Sequence, residues 1–420
     1  MMHSYNSSRF MIVEKIDGSI AGQELSNSMR SSNLRRYHCN NYVEIVCFLA
    51  VVMMVFFFSC SLLFAATYYV SPTGNDNNSG SDLKPFLTLQ KAANLTLPGD
   101  VVIAKNGVYT STGDAVLKID RAGSSSSYIT FKSENPQGAI IDGRSCVTPY
   151  CILLWSTAAY IKIEGFDIRY AESAGIYGWG NSLTGEGSHD IFITNNNIHH
   201  NGKITVTESM SQVGKSGFNS QPLIHHYTFE GNTIHDNGRL SDSFQEHAYR
   251  HDHGLYLQGK YITVKNNIFY NHTAGWAIKV DGYWGTEVGN SENSHVIVGN
   301  TFKPEIRSDP NGGGYIRFYN NESTHLTYGT MKPPKNILID SNSFYKPAGP
   351  STDSAIVIDN APNSNFSGTL LKSNITTSSH LYSEDIGASI RANVTAIDNT
   401  LNAADSMFAP KIPAGIKIVN

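Results

Sequence analysis

The sequence predicts an all-β protein, a right-handed parallel β-helix with an N-terminal capping helix. Three observations lead there. The 420 residues include 36 glycines, and many Asn, Ser and Thr accompany them, which suits a turn-rich β chain. Short segments alternate apolar and polar residues with period 2, the strand period. One template recurs: two apolar residues at alternate positions, Asn three residues after the second, and an apolar residue two further on.

The template fits Val101/Ile103/Asn106/Val108, Ile191/Ile193/Asn196/Ile198 and Tyr227/Phe229/Asn232/Ile234. It fits again at Ile262/Val264/Asn267/Phe269 and Ile337/Ile339/Asn342/Phe344, and more loosely at Ile297/Asn300/Phe302 and Leu371/Asn374. Ile161/Ile163/Phe166/Ile168 carries Phe in the Asn column. Asn tolerates left-handed φ/ψ, and its amide can bond the same residue one coil above and below. A ladder of this kind, with apolar residues on both sides, indicates stacked coils. An antiparallel sandwich would call for tight two-residue hairpins, and the strong hairpin dipeptides do not join these strands.

In chain order, residues 1–44 carry no apolar period, and Ile45–Ala66 is apolar except for Ser59 and Ser61, with Arg30, Arg35 and Arg36 upstream. This is the pattern of a secretory signal ending near Ala66, with Met29 or Met53 as alternative starts. A run of this length also suits an uncleaved membrane anchor. The expectation is therefore a secreted, cell-surface or periplasmic protein whose folded part is a single domain over residues 67–420. Within it, residues 67–100 form the cap, 101–392 the coils, and 393–420 a terminal coil and cap. Tyr68–Val70 reads as a strand and Pro85–Leu97 as a short amphipathic helix with Phe86, Leu89 and Ala93 on one side. Pro98-Gly99-Asp100 turns into Val101–Ala104, and such a helix would cover the exposed first coil.

Charge is nearly balanced, 31 Lys+Arg against 35 Asp+Glu, so nucleic acid is not an expected partner. No stable protein partner is implied, and a monomer is expected. Cys146 and Cys151 flank Thr148-Pro149 and could close a small disulfide or remain two thiols.

The opening YYVSPTGNDNNSGSDLKPFLTLQKAA…PGDVVIAKNGVYT resembles the N-terminal signature of secreted pectate-lyase-like β-helix proteins, nearest the group around family 9 polysaccharide lyases. The resemblance implies the architecture. For activity it leaves lyases, epimerases and hydrolases open.

Superposing SAGIYGW, KSGFNSQ, DHGLYLQ, GWAIKVD, GYIRFYN and SAIVIDN gives a sheet with an inward column Ile176/Phe218/Leu255/Ile278/Ile316/Ile356. Three columns are expected to face outward. The first is mostly small, Gly175/Gly217/Gly254/Ala277/Tyr315/Ala355; the second reads Tyr177/Asn219/Tyr256/Lys279/Arg317/Val357; the third reads Trp179/Gln221/Gln258/Asp281/Tyr319/Asp359. With coils about 4.8 Å apart, Lys279 and Arg317 become adjacent cations beside Tyr256. The expected partner is an acidic polysaccharide, with Tyr177, Trp179, Asn219, Gln258, Tyr319 and His253 binding it. In β-elimination of a uronate, Lys279 would take the C5 proton and Arg317 would hold the carboxylate. Tyr256 would protonate the leaving oxygen. The resemblance implies a calcium ion, for which Asp252 and Asp281 are the expected ligands. Solvated Lys and Arg on an exposed face are the plain alternative.

The polar stretch Asp236–Gly254 holds Glu246, His247, His251, Asp252 and His253, which suit metal binding, acid/base work or simple solvation. Three functions remain open: a polysaccharide lyase or uronate epimerase, a β-helix glycoside hydrolase using Asp281 and Asp359, and a non-catalytic glycan-binding or adhesion module.

Overall fold

The computed structural model describes residues 48–49, 65–181, 183–202, 214–238, 252–272, 275–281, 283–284, 294–303, 315–319, 324–325, 329–332, 335–345, 354–358, 367–377, 380–382, 394–401 and 403. The chain divides into two compact units, Met1–Leu63 and Phe64–Asn420. Met29, Met53 and most of the signal or anchor segment lie outside the described residues, as do Glu246, His247, His251 and Asp359. Among the described residues no helix is long and apolar enough to cross a membrane.

The second unit is a right-handed parallel β-helix. Its strands fall into three long parallel sheets, here A, B and C, of 12, 9 and 9 strands among the described residues. Each coil contributes a strand to A, turns to B, turns to C, and returns by a loop. One coil runs Thr263–Lys265 in A, Ile268–Tyr270 in B and Ile278–Asp281 in C. The period-2 pattern sends alternate residues inward, so apolar side chains stack from coil to coil. Sheet A stacks Phe131, Ile163, Ile193, Phe229, Val264 and Ile297 through its pairing. Sheet B stacks Phe269, Phe302 and Phe344 with ring centroids 5.0 and 4.7 Å apart. All are buried. Each such side chain contributes about 1.5–3 kcal/mol by leaving water.

The A-to-B corner carries the asparagine ladder. Asn196, Asn232, Asn267, Asn300, Asn342, Asn374 and Asn399 pass a bond from side chain to side chain, Nδ2 donating to the next Oδ1 at 2.9–3.2 Å. Each Nδ2 from Asn196 to Asn399 also donates to a carbonyl of the preceding coil, such as that of Phe229 for Asn267. The left-handed residue is not the ladder Asn but the one before it, as at Asn195 (φ 56°), Asn266 (φ 55°) and Ser341 (φ 55°). The turn thus divides its labour between one residue that bends the chain and one that bonds along the axis.

Two expectations need correction. In the first coil Val102 and Ala104 point inward, not Val101 and Ile103, while Asn106 and Val108 are exposed. The run VVIA is apolar on both faces, so its phase is fixed by pairing of Val102 with Phe131 rather than by its own pattern. The helix spans Leu89–Ala93, not Pro85–Leu97, with Thr88 as its N-cap accepting from the Lys91 N–H at 3.1 Å. It buries Leu89, Ala92 and Ala93, and Gln90 bonds both backbone groups of Lys118 in the first strand of sheet C. Those bonds engage an otherwise open strand edge. Cys146 and Cys151 are free thiols. Burial raises both thiols above the ordinary range, and the Cys151 Sγ points at the Arg169 carbonyl, 3.2 Å away.

A second ladder, at the B-to-C corner, was not anticipated. Asn201 donates to Asn237 Oδ1 at 3.0 Å, both donate to carbonyls one coil back, and His272 continues the column with a 3.2 Å bond to the Ile234 carbonyl. Its signal is the same spacing as the first, Ile198 to Asn201 and Ile234 to Asn237.

Candidate functional site on the outer face of sheet C

The second outward column stands as the register requires. Tyr177 pairs with Asn219, Asn219 with Tyr256, Tyr256 with Lys279, Lys279 with Arg317 and Arg317 with Val357. Asp281 pairs with Tyr319, whose side chain lies outside the described residues. The small column does not face outward. Ala277, Tyr315 and Ala355 lie in the hydrophobic core, and Gly175, Gly217 and Gly254 press against Asn201, Asn237 and His272 of the second ladder. Those positions are small because a turn residue occupies the space a side chain would need. These positions therefore do not form an outward strip beside Lys279 and Arg317.

The break in alternation brings the preceding residues toward the outer face. The His253 ring lies 5.4 Å from the Tyr256 ring, and the Arg317 guanidinium lies 5.5 Å from the Trp276 ring centre. His253 is nonetheless 1% exposed, and its Nδ1 accepts the Trp276 backbone N–H at 3.2 Å. It supports Tyr256 from below and is not an open sugar contact.

At the centre, four side chains from two coils form one polar network. Lys279 Nζ lies 3.2 Å from Asp281 Oδ1 and 4.8 Å from the centre of the Tyr256 ring. The Tyr256 hydroxyl donates to Asp281 Oδ2, and Gln258 Nε2 donates to the Tyr256 oxygen at 2.9 Å. Lys279 and Asp281 are both buried, so the ion pair is shielded from water and its geometry matters more than at a surface. Arg317, one coil on, is half-buried.

Toward the N-terminal end the face becomes aromatic. Tyr150 and Tyr177 stack at 4.2 Å, and Trp155 and Trp179 at 4.9 Å, each ring covering its neighbour from the adjacent coil. Burial raises the Tyr150 phenol. Asn219 sits between this patch and Tyr256 and is buried.

Asp252 and Asp281 are not brought together. Asp252 accepts the Lys215 backbone N–H at 2.9 Å in the B-to-C corner, and its carbonyl lies against Gly275 so closely that no Cβ fits there. Asp281 is six residues beyond Gly275 along the strand, roughly 15–20 Å at strand rise. One calcium ion cannot span them. At Asp281 both carboxylate oxygens are engaged within the network, Oδ1 facing Lys279 Nζ and Oδ2 taking the Tyr256 hydroxyl.

Two histidine clusters outside this face escaped the sequence reading. His199, His200 and His235 meet at the B-to-C corner, and His189, Asp190 and His225 at the start of sheet A. The latter borders a cleft of about 520 Å³ lined also by Glu186 and Lys260. Burial, then the neighbouring His189 and His226, lowers His225 to about 4. A positional signal existed: in Ile198-His199-His200 and Ile234-His235-Asp236 the same two template positions carry titratable groups.

Three parallel sheets with amide ladders at two of their corners define the class by architecture, a right-handed parallel β-helix. Residues 68–260 match the family model described as Pel9A-like, right handed beta helix region. An uncharacterized protein of Bacillus subtilis, YwoF, is 35% identical over 77 residues, 18% of this chain and 16% of that one. Pectate lyase PEL9 of Emericella nidulans is 30% identical over 79 residues, 19% of each chain. These two matches thus span less than a fifth of either relative. Among solved structures, pectate lyase Pel9A is 15% identical with a TM-score of 0.45, covering 80% of this chain and 79% of that one. The lacto-N-biosidase of Eubacterium ramulus is 12% identical with a TM-score of 0.43, covering 81% and 68%.

Proposed function

We propose that the protein is a polysaccharide lyase that cleaves a uronate-containing glycan by β-elimination on the outer face of sheet C, a uronate epimerase being the variant with the same proton abstraction. The observation that carries this reading is the residue-for-residue pairing of Tyr256, Lys279 and Arg317 on successive coils, with Asp281 joined to the first two. Arg317 holds the uronate carboxylate with its fork of donors and stabilises the charge that grows there as the C5 proton leaves. Lys279 Nζ takes that proton, and Tyr256 gives one to the departing glycosidic oxygen. The aromatic patch around Trp179 and Tyr177 binds the chain beyond the cleavage point. Secretion, as the N-terminal apolar run suggests, would place the enzyme with its polymer.

The Lys279–Asp281 ion pair favours a second assignment within the same reaction. With its ammonium held by Asp281, Lys279 would join Arg317 in clamping the carboxylate, and Tyr256, after passing its own proton to Asp281, would take the C5 proton and give it to the departing glycosidic oxygen. Lys279→Arg decides between them, because arginine keeps the charge and cannot serve as a base. The assay is the ultraviolet absorbance of unsaturated uronate, released from a panel of uronate polymers with and without calcium. Activity that survives in Lys279→Arg assigns the base to Tyr256. Activity lost in Lys279→Arg and Lys279→Ala alike assigns it to Lys279. New reducing ends without absorbance would overturn the lyase in favour of a hydrolase, and neither signal would leave glycan binding alone.

A further inference from the structure

We propose that the B-to-C corner binds one divalent transition-metal ion through Nδ1 of His199, His200 and His235 and the carboxylate of Asp236. Ligand atoms of the three imidazoles lie within 4.8 Å of one another. His199 Nδ1 is 2.6 Å from His200 Nδ1, and His235 Nδ1 is 2.6 Å from Asp236 Oδ2. The site joins two coils, since His199 pairs with His235 in sheet B and their rings stack at 4.8 Å.

The hydrogen bonds behind the rings choose the tautomers. Asp167 Oδ2 faces His199 Nε2 at 3.0 Å and claims its N–H. Asn197 Nδ2 donates to the same carboxylate at 3.1 Å, which turns its Oδ1 toward His235 Nε2, 3.0 Å away. Both rings therefore donate through Nε2, and in the neutral rings both Nδ1 lone pairs point into the corner. The His235 lone pair then faces a carboxylate oxygen, acceptor against acceptor, and the His199 lone pair faces a third imidazole. A cation in the corner resolves the first conflict and can take the facing Nδ1 atoms of His199 and His200 as ligands. An imidazole whose far nitrogen is fixed by a carboxylate or carbonyl is the usual arrangement of a metal-bound histidine.

The backbone fixes the remaining two donors. His200 and Asp236 occupy equivalent turn positions with φ of 56° and 50°, and the His200 N–H donates to the Asp236 carbonyl at 3.0 Å. Asn271 Nδ2 donates to Asp236 Oδ1, which leaves Oδ2 toward His235. Three imidazoles and one carboxylate suit Zn²⁺, Ni²⁺ or Cu²⁺ and not Ca²⁺. Such an ion would cross-link the two coils.

The test uses the full chain stripped with a chelator, then titrated with Zn²⁺ by calorimetry and with Co²⁺ by visible absorption. One equivalent is expected at this corner, with a raised melting temperature and the visible band of nitrogen-ligated Co²⁺. His200→Asn and Asp236→Asn keep a residue that tolerates left-handed backbone, and each should weaken binding about tenfold or more. Melting without metal checks that both fold. His225→Ala, in the other histidine cluster, should leave this equivalent intact. Absence of the Co²⁺ band overturns the proposal, as does Zn²⁺ affinity unchanged by both Asn variants. In either event a shared proton, not a metal, occupies the corner.

Discussion

The asparagine ladder and the network around Lys279 are both chains of polar side chains crossing coils, yet they are built on opposite rules. The ladder repeats one residue, and an amide is complementary to itself because it carries a donor and an acceptor. Each added coil satisfies the one before it, and the only further partner needed is a backbone carbonyl. The network instead combines four different residues from two coils, Tyr256, Gln258, Lys279 and Asp281. Its donors and acceptors close on each other locally, and it cannot be extended by repetition. A self-complementary stack secures the fold. A heterogeneous one leaves charge and exchangeable protons concentrated at one place, which is what catalysis requires.

The contrast predicts that activity and stability separate between the two. Tyr256→Phe removes one hydroxyl and leaves the Lys279–Asp281 pair in place. Turnover of a uronate polymer should fall about 100-fold or more, while the unfolding free energy falls by about 1 kcal/mol. Steady-state rates and urea melts on one preparation check both halves. A loss of stability with unchanged turnover would show that this network is structural as well.

Asn267→Ala is the reciprocal change. It removes the acceptor of the Asn232 amide and the donor to the Phe229 carbonyl, both at 2.9 Å, and the bond to Asn300 at 3.0 Å. Several buried groups lose partners at once, and each costs about 1–3 kcal/mol. A destabilisation of about 4 kcal/mol is expected in urea melts, with turnover per folded molecule unchanged. A shift under about 1 kcal/mol would mean that water or a neighbouring turn replaces the amide, and the ladder would then be ornament to the apolar stack.

The same difference explains what could be read from the sequence. The coil order, the inward column Ile176 to Ile356 and the adjacency of Lys279 and Arg317 follow from a spacing that repeats, so an error in one coil is corrected by its neighbours. The first coil lacked that protection, because VVIA is apolar on both faces. The small column was misplaced because period-2 alternation fails where a strand leaves a corner, and Gly254 answers to His272 rather than to its own strand. The Lys279–Asp281 pair and the separation of Asp252 from Asp281 depend on side-chain reach and corner position, which a column of letters does not contain. The histidine corner was legible in position but not in meaning, since its chemistry lies in which nitrogen each partner claims.

His295 tests the ladder side of the comparison at its weakest point. It stands where the neighbouring coils of sheet A carry Ile262 and Ile337, is 1% exposed, and neither ring nitrogen has a hydrogen-bond partner among the described residues. Burial lowers it from 6.5 to about 4. The folded state therefore keeps the ring neutral while the unfolded chain takes up a proton below about pH 6.5. Stability from this residue is complete above that value and is lost as pH falls toward 4, by on the order of 3 kcal/mol at most. His295→Leu restores the apolar column and removes the titration. Its melts should match or exceed the parent at pH 7.5 and exceed it by a growing margin between pH 6.5 and 4.5. Parallel pH profiles for the two proteins would mean that His295 is protonated or solvated in the fold, and that the interior of sheet A is wetter there than its isoleucine neighbours imply.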